Sequence, residues 1–222
     1  MAARPQRKGR LVNIDDLRVR LMNEGLDADN IARDPFELFG EWLEVANSAG
    51  IPNAHSMALA TTTPDGQPTV RNVLMQGVVD GGFTFYTNRT SEKGRALADC
   101  PKAEGLFSWL PLERQVRVRG AVVELDDASG DAYFAGRPRA GQLAAVASDQ
   151  STEVPDRDYL VKRFNVLEAA NEGREVERPP SWGGYKIQVD RVEFWQGDQH
   201  RLHDRIVFSR TGSRWSTARL AP

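Results

Sequence analysis

Residues 56–87, SMALATTTPDGQPTVRNVLMQGVVDGGFTFYT, decide the fold. The hydrophobic period there changes to two, and the run Met57-Ala58-Leu59-Ala60 leads into Pro64-Asp65-Gly66. In that turn proline presets φ, aspartate bonds its own backbone and glycine supplies a positive φ, so the segment reads as a hairpin. Further strands are expected over Thr69–Gln76, Gly82–Thr87, Ala103–Trp109 and Arg114–Leu125, the last with Val116 and Val118 alternating against Gln115, Arg117 and Arg119. Five strands so close together imply a barrel or a sandwich.

Upstream, Asp34-Pro35-Phe36-Glu37 supplies an N-cap, a proline at the first helical position and a reaching carboxylate. A helix is expected from there to Gly50, with Phe36, Phe39, Leu43 and Ala46 facing the core. Downstream, the pattern from Asp126 to Ala170 is helical: Asp127 is expected to cap one short helix carrying Tyr133 and Phe134, and Tyr159, Phe164 and Leu167 mark another. Strands return at Tyr185–Trp195, Ile206–Ser209 and Arg214–Leu220, the last pair joined across Thr211-Gly212-Ser213. With no internal repeat and no clear linker, the expectation is α+β, one domain over 34–222 built on an antiparallel barrel. The basic opening MAARPQRKGR belongs to a tail and short arm, 1–33, partly flexible.

Composition narrows the function. Among 222 residues, 29 basic and 31 acidic side chains give a net charge of −2, which argues against nucleic acid as a partner. Hydrophobic residues make up 40%, with no apolar run near the ~20 residues a membrane helix needs, so no membrane partner is expected. Cys100 is alone, which excludes a disulfide scaffold and suits a reducing, cytoplasmic setting. His200 and His203 lack a carboxylate partner set, so no metal is expected, and neither a G-x-G-x-x-G nor a P-loop signature occurs.

Three clusters set anion-binding side chains beside aromatic or small residues: Arg71–Gln76, Tyr86–Lys93 and Trp195–Arg205. Arginine, lysine and hydroxyl donors near strand ends are suited to a phosphate monoester. The segments FYTNRTSEKGRAL, LFSWLPLERQVRVRG, YFAGRPRAGQLAAVASDQS, PPSWGGYKI and VEFWQGDQHRLHDR, with the terminal RLAP, resemble the pyridoxine/pyridoxamine 5′-phosphate oxidase family, in order, from about Asp34 to Pro222.

That resemblance implies an FMN-binding split β-barrel with flanking helices, acting as a homodimer. It implies a cofactor site of Arg71, Asn72, Val73, Leu74, Met75, Gln76, Tyr86, Thr87, Lys93, Gln115, Gln150, Ser151, Trp182 and Arg205, with Arg71 and Lys93 on the FMN phosphate. For the substrate it implies Gln76, Tyr133, Arg137, Gly141, Arg201 and His203, the first arginine and Tyr133 on the phosphate, Arg201 and His203 as the catalytic pair holding the ring. The implied reaction passes a hydride from substrate C4′ to FMN N5, with O2 as acceptor, giving pyridoxal 5′-phosphate and H2O2. The alternatives are oxidation of another reduced ring, as in phenazine biosynthesis, and a flavin-binding module without turnover.

The chain leaves the family pattern at four places. Gln76 replaces a lysine, Gly141 a serine, the S-R-K triplet reads Ser91-Glu92-Lys93, and no Arg-x-x-Tyr stands around Arg18–Asn23. Losing Lys and Ser donors, at ~1.5–3 kcal/mol for each charge-assisted bond, is expected to weaken phosphate binding by roughly two orders of magnitude.

Overall fold

The computed structural model describes residues 13–222; the basic segment MAARPQRKGR lies outside them. In chain order the elements are α1 (Ile14–Glu24), α2 (Ala28–Ile31), α3 (Pro35–Ser48), β1 (Ser56–Thr62), β2 (Pro68–Val79), β3 (Gly82–Asn88), α4 (Glu92–Asp99), β4 (Lys102–Trp109), β5 (Arg114–Glu124), α5 (Asp127–Ala135), α6 (Arg139–Ala147), α7 (Arg157–Ala170), β6 (Trp182–Gln196), β7 (Asp204–Thr211) and β8 (Arg214–Arg219). The sheet order is β3-β2-β1-β4-β5-β6-β7-β8, and β3 also pairs with β6, so six strands close into an antiparallel barrel. No described helix is long and apolar enough to cross a membrane.

Two compact units result. The barrel unit holds His55–Leu106 and Val118–Arg191; the terminal unit holds the described residues 13–54, Phe107–Arg117 and Val192–Pro222. In the barrel unit β1 alternates half-buried and buried positions, so that Met57, Leu59 and Thr61 point inward, as its period of two demands. Phe83, Phe85, Val118, Ile187 and Val189 complete that interior. The β1–β2 turn uses Gly66 at φ +87°, and the β2–β3 turn uses Asp80 and Gly81 at φ +48° and +69°, the pair a type I′ hairpin requires.

One register shift matters for function. Met75 pairs with Phe85 but Gly77 pairs with Thr84, so Gln76 is an extra residue on β2. Such a bulge bends the strand and re-aims the side chain it carries.

In the terminal unit α3 starts at Asp34, whose carboxylate accepts from the backbone N–H of Phe36 at 2.8 Å and of Glu37 at 3.2 Å. Its buried stripe is Leu38, Phe39, Trp42 and Ala46; Phe36 and Leu43, expected in it, are only half-buried at its edges. Trp42 decides that rotation, because it meets Phe194 edge-to-face at 5.2 Å and carries the Arg114 guanidinium 4.0 Å over its ring. Phe39 packs on Phe107 at 4.8 Å, and Trp109 donates its indole N–H to the Ala54 carbonyl at 2.9 Å.

The sequence reading assigned no helix to α1, α4 or α6. Asn13 caps α1, Leu17 and Leu21 bury its inner face, and Gly25 at φ +62° ends it. The cap of α5 is Asp126 rather than Asp127: Asp126 is extended, so its carboxylate reaches the Ser129 N–H at 2.7 Å. Asp127 turns outward to Arg89 and Arg178.

Candidate functional site

A cavity of about 470 Å³ opens in the barrel unit. Its walls come from β2 (Asn72, Val73, Leu74, Gln76), β3 (Tyr86, Thr87, Asn88), α4 (Lys93), the α5–α6 region (Tyr133, Arg137, Gly141, Ala144, Ala145), the segment Ser148–Gln150 and the start of β6 (Trp182). Along β2 the consecutive residues Asn72, Val73 and Leu74 and the bulged Gln76 line it, while Met75 is buried and does not.

One end of the cavity is cationic. Ser91 caps α4, and Gly94 follows because a Cβ there would stand 2.1 Å from the Arg89 carbonyl oxygen. This turn buries Lys93, whose Nζ donates to Thr87 Oγ1 at 3.1 Å, Ser91 Oγ at 3.2 Å and Gln150 Oε1 at 2.8 Å. Burial, and then the nearby Arg71, pull the ammonium down to about 8, against the opposing charge of Glu92.

Arg71 stands behind the wall. Its guanidinium donates to Thr61 Oγ1 and Thr69 Oγ1, both at 2.7 Å, and lies 3.5 Å from the half-exposed Glu92 carboxylate. Two cations held chiefly by neutral oxygens fit a phosphate, which would complete a charge-assisted network and offset the cost of their burial.

The other end is aromatic. Tyr86 and Tyr133 stack with centroids 4.0 Å apart and planes 5° apart, and Trp182 lies nearly parallel to Tyr133 at 5.8 Å. Burial raises both tyrosine hydroxyls above their ordinary range. Arg137 extends over Trp182 with its guanidinium carbon 4.9 Å from the ring, and its Nη1 is buried without a hydrogen-bond partner. A Cβ on Gly141 would sit 3.5 Å from Arg137 Nη2, so a serine at this position would stand beside the guanidinium. Burial lowers the proton affinity of Arg137, which makes an anion at this end a favourable complement.

Of the residues singled out from the sequence, Arg71, Met75 and Ser151 belong to the barrel unit without lining the cavity, and Ser151 adopts φ +69°. Gln115, Arg201, His203 and Arg205 belong to the terminal unit. There Arg205 donates through Nε to Glu193 at 2.8 Å and through Nη1 to the Ala221 carbonyl at 3.0 Å, while His203 lies against Trp195 at 4.7 Å. Sequence reasoning missed Asn88, Ala144, Ala145 and Ser148. The Asn88-x-Thr90 step was a usable signal, since Asn88 Oδ1 accepts from Thr90 N–H at 2.7 Å and opens the turn into α4.

Residues 43–170 match the family model for pyridoxamine 5′-phosphate oxidase, and residues 182–222 match that for the pyridoxine 5′-phosphate oxidase C-terminal dimerisation region. The chain belongs to the pyridoxamine 5′-phosphate oxidase family. Membership makes it an oxidase with FMN as its cofactor. It is 46% identical over 206 residues to the pyridoxine/pyridoxamine 5′-phosphate oxidase of Rubrobacter xylanophilus, covering 93% of this chain and 95% of the relative. Against that of Cupriavidus necator the identity is 45%, over 96% and 100%. Among solved structures it superposes on PhzG of Burkholderia lata, in complex with tetrahydrophenazine-1-carboxylic acid, with a TM-score of 0.83 and 34% identity, covering 87% of this chain and 95% of that one.

Proposed function

We propose that the protein oxidises pyridoxine or pyridoxamine 5′-phosphate to pyridoxal 5′-phosphate in the cytoplasm, as a homodimer, with residues 34–222 acting as one FMN-binding domain and 1–33 as a tail and short arm. The observation that carries this reading is the buried Lys93, held by three neutral oxygens beside Arg71 in a cavity walled by aromatic rings. The match of 182–222 to a dimerisation region supports the dimer, and that segment contains Arg201, His203 and Arg205.

Bound FMN would supply the redox chemistry, as acceptor of a hydride from substrate C4′ at N5 that O2 takes on as H2O2; with the amine substrate, water would then release ammonia. The chain's own residues bind and orient. Arg71 and Lys93 would hold the FMN phosphate, and Asn72, Val73, Leu74, Gln76, Tyr86, Thr87, Gln150, Ser151 and Trp182 the rest of the cofactor; the family pattern adds Gln115 and Arg205, although Arg205 is paired with Glu193 in this chain. Tyr133 and Arg137 take the substrate phosphate at the aromatic end, with Gln76 and Gly141 beside it. Arg201 and His203 would hold the substrate ring, and positioning of this kind would be the protein's main contribution to rate.

A second reading has a specific observation behind it. The B. lata neighbour was solved with a reduced tricyclic carboxylate, and in this chain one guanidinium, Arg137, faces the aromatic end where Gln76 and Gly141 supply no cation. A planar ring carrying a single carboxylate fits that donor set. One experiment tests both: anaerobic addition of pyridoxine phosphate, pyridoxamine phosphate and a reduced phenazine carboxylate to the yellow protein, following flavin absorbance. Rapid bleaching by the B6 phosphates alone supports the first reading; bleaching by the phenazine alone overturns it.

A further inference from the structure

In the loop Gly197–His203 between β6 and β7, Asp198 bonds His200, Arg201, Leu202 and His203. Asp198 Oδ1 accepts from the backbone N–H of His200 at 2.7 Å and of Leu202 at 3.3 Å, and its carbonyl accepts from Arg201 N–H at 3.2 Å. Its own N–H donates to His203 Nδ1 at 3.1 Å. Gly197 ties the start of the loop to the Glu113 carbonyl at 2.8 Å, and Gln199 reaches Asn23 of α1 at 3.3 Å.

Two consequences follow from elementary chemistry. Arg201 is a non-glycine residue at φ +64°, a conformation that persists only where its surroundings impose it, and the N–H groups of Arg201 and Leu202 both end on Asp198. Second, a ring nitrogen that accepts a backbone N–H carries no proton, so neutral His203 bears its proton on Nε2. The imidazole, lying against Trp195 at 4.7 Å, is thereby a fixed hydrogen-bond donor at its free end.

We propose that Asp198 is a positioning residue: it presets the Arg201 backbone and locks His203 as the Nε2–H tautomer, so that His203 gives a hydrogen bond to an acceptor atom on the substrate ring rather than removing a proton from it. This rests on the reading above that Arg201 and His203 address the substrate. The chain has three histidines, His55, His200 and His203, so 15N-detected imidazole spectra of the FMN-loaded protein are assignable with His55→Gln and His200→Gln. His203 should show a single Nε2–H tautomer in the parent, a mixture in Asp198→Ala, which keeps the backbone N–H that faces Nδ1 but loses the carboxylate that fixes the loop around it, and the parent pattern in Asp198→Asn, which keeps an oxygen acceptor. Asp198→Ala should lower kcat/KM by about tenfold or more through misplacement of the loop, with FMN retention unchanged and Asp198→Asn near the parent.

A mixed tautomer in the parent, or Asp198→Ala that leaves both tautomer and kcat/KM unaltered, overturns the proposal. A tautomer shift in Asp198→Ala with no kinetic effect of either Asp198→Ala or His203→Ala supports the loop assignment and overturns instead the placement of His203 on the substrate.

Discussion

Two groups of cations are built in opposite ways. In the barrel unit Lys93 and Arg71 are held by threonine, serine and glutamine oxygens, and the acid nearest them, Glu92, is 52% exposed. In the terminal unit Arg205 meets Glu193, a carboxylate 7% exposed that also draws Arg117 to 3.6 Å. A cation already neutralised by a buried carboxylate is a strut between strands, whereas one held chiefly by neutral dipoles, with only an exposed carboxylate nearby, is still available to an outside anion. The contrast bears on the resemblance as well, which assigned Arg71, Lys93 and Arg205 alike to the cofactor.

The largest expected effect comes from breaking the strut. Glu193→Ala leaves Arg205 and Arg117 without their shared acid and should lower unfolding free energy by about 3 kcal/mol, a value reduced from the fully buried case by the partial exposure of Arg205. Urea denaturation of the FMN-free protein measures it; a loss no greater than that of an ordinary surface substitution would dissolve the distinction between the two groups.

Next in size, Lys93→Met should leave the FMN-free fold as stable as before or more so, while weakening FMN binding by about 1.5–3 kcal/mol, roughly ten- to a hundredfold. The folded pKa near 8 lies below the ordinary lysine value of 10.5, so the FMN-free protein should gain stability as pH rises through the window from about 8 to 10.5. FMN affinity should fall over the same rise, because the ammonium that meets the phosphate is lost. Flavin fluorescence titrations at pH 7 and 9.5, and melting curves at both, check the opposite signs together. Lys93→Met should abolish both slopes.

Gln76→Lys asks whether the bulge on β2 faces the substrate phosphate. If it does, KM for pyridoxine phosphate should drop by about 1–2 kcal/mol in binding, with kcat nearly unchanged because the contact is made equally in ground and transition states. Steady-state kinetics decide it, and an unaltered KM would move the phosphate away from position 76. The smallest effect belongs to Glu92→Gln, which removes the half-exposed carboxylate 3.5 Å from Arg71. FMN affinity should rise by about 0.5 kcal/mol, a factor of two to three, and the gain should shrink at high salt.

Legibility followed the range of the signal. All eight strands were readable to within a few residues from their period and punctuating turns, and α3 from Asp34-Pro35-Phe36-Glu37 and the apolar spacing that follows, because caps and periodicity act between near neighbours. Helices α1, α4 and α6 escaped: α4 and α6 are short and their inner faces small, and α1 carries only Leu17 and Leu21 inward. Within α3 the spacing put Phe36 and Leu43 on the inner stripe, whereas the structure buries Leu38 and Trp42; nothing local says which pair turns inward, and Phe194, from the far end of the chain, decides.

The sequence by itself determined the α+β class, the barrel strands, and the family with its flavin and its departures at Gln76, Glu92 and Gly141. Only the tertiary structure decided that Gln76 sits on a bulge, that Lys93 is hydrogen-bonded to neutral oxygens while Arg205 meets a carboxylate, and that His203 Nδ1 accepts a backbone N–H. Residue type and spacing encode which groups are present and the local backbone they favour. Whether a charge is spare or spent, and which nitrogen of an imidazole carries its proton, depends on partners brought from distant strands, and pairing at that range leaves no periodic mark in one chain.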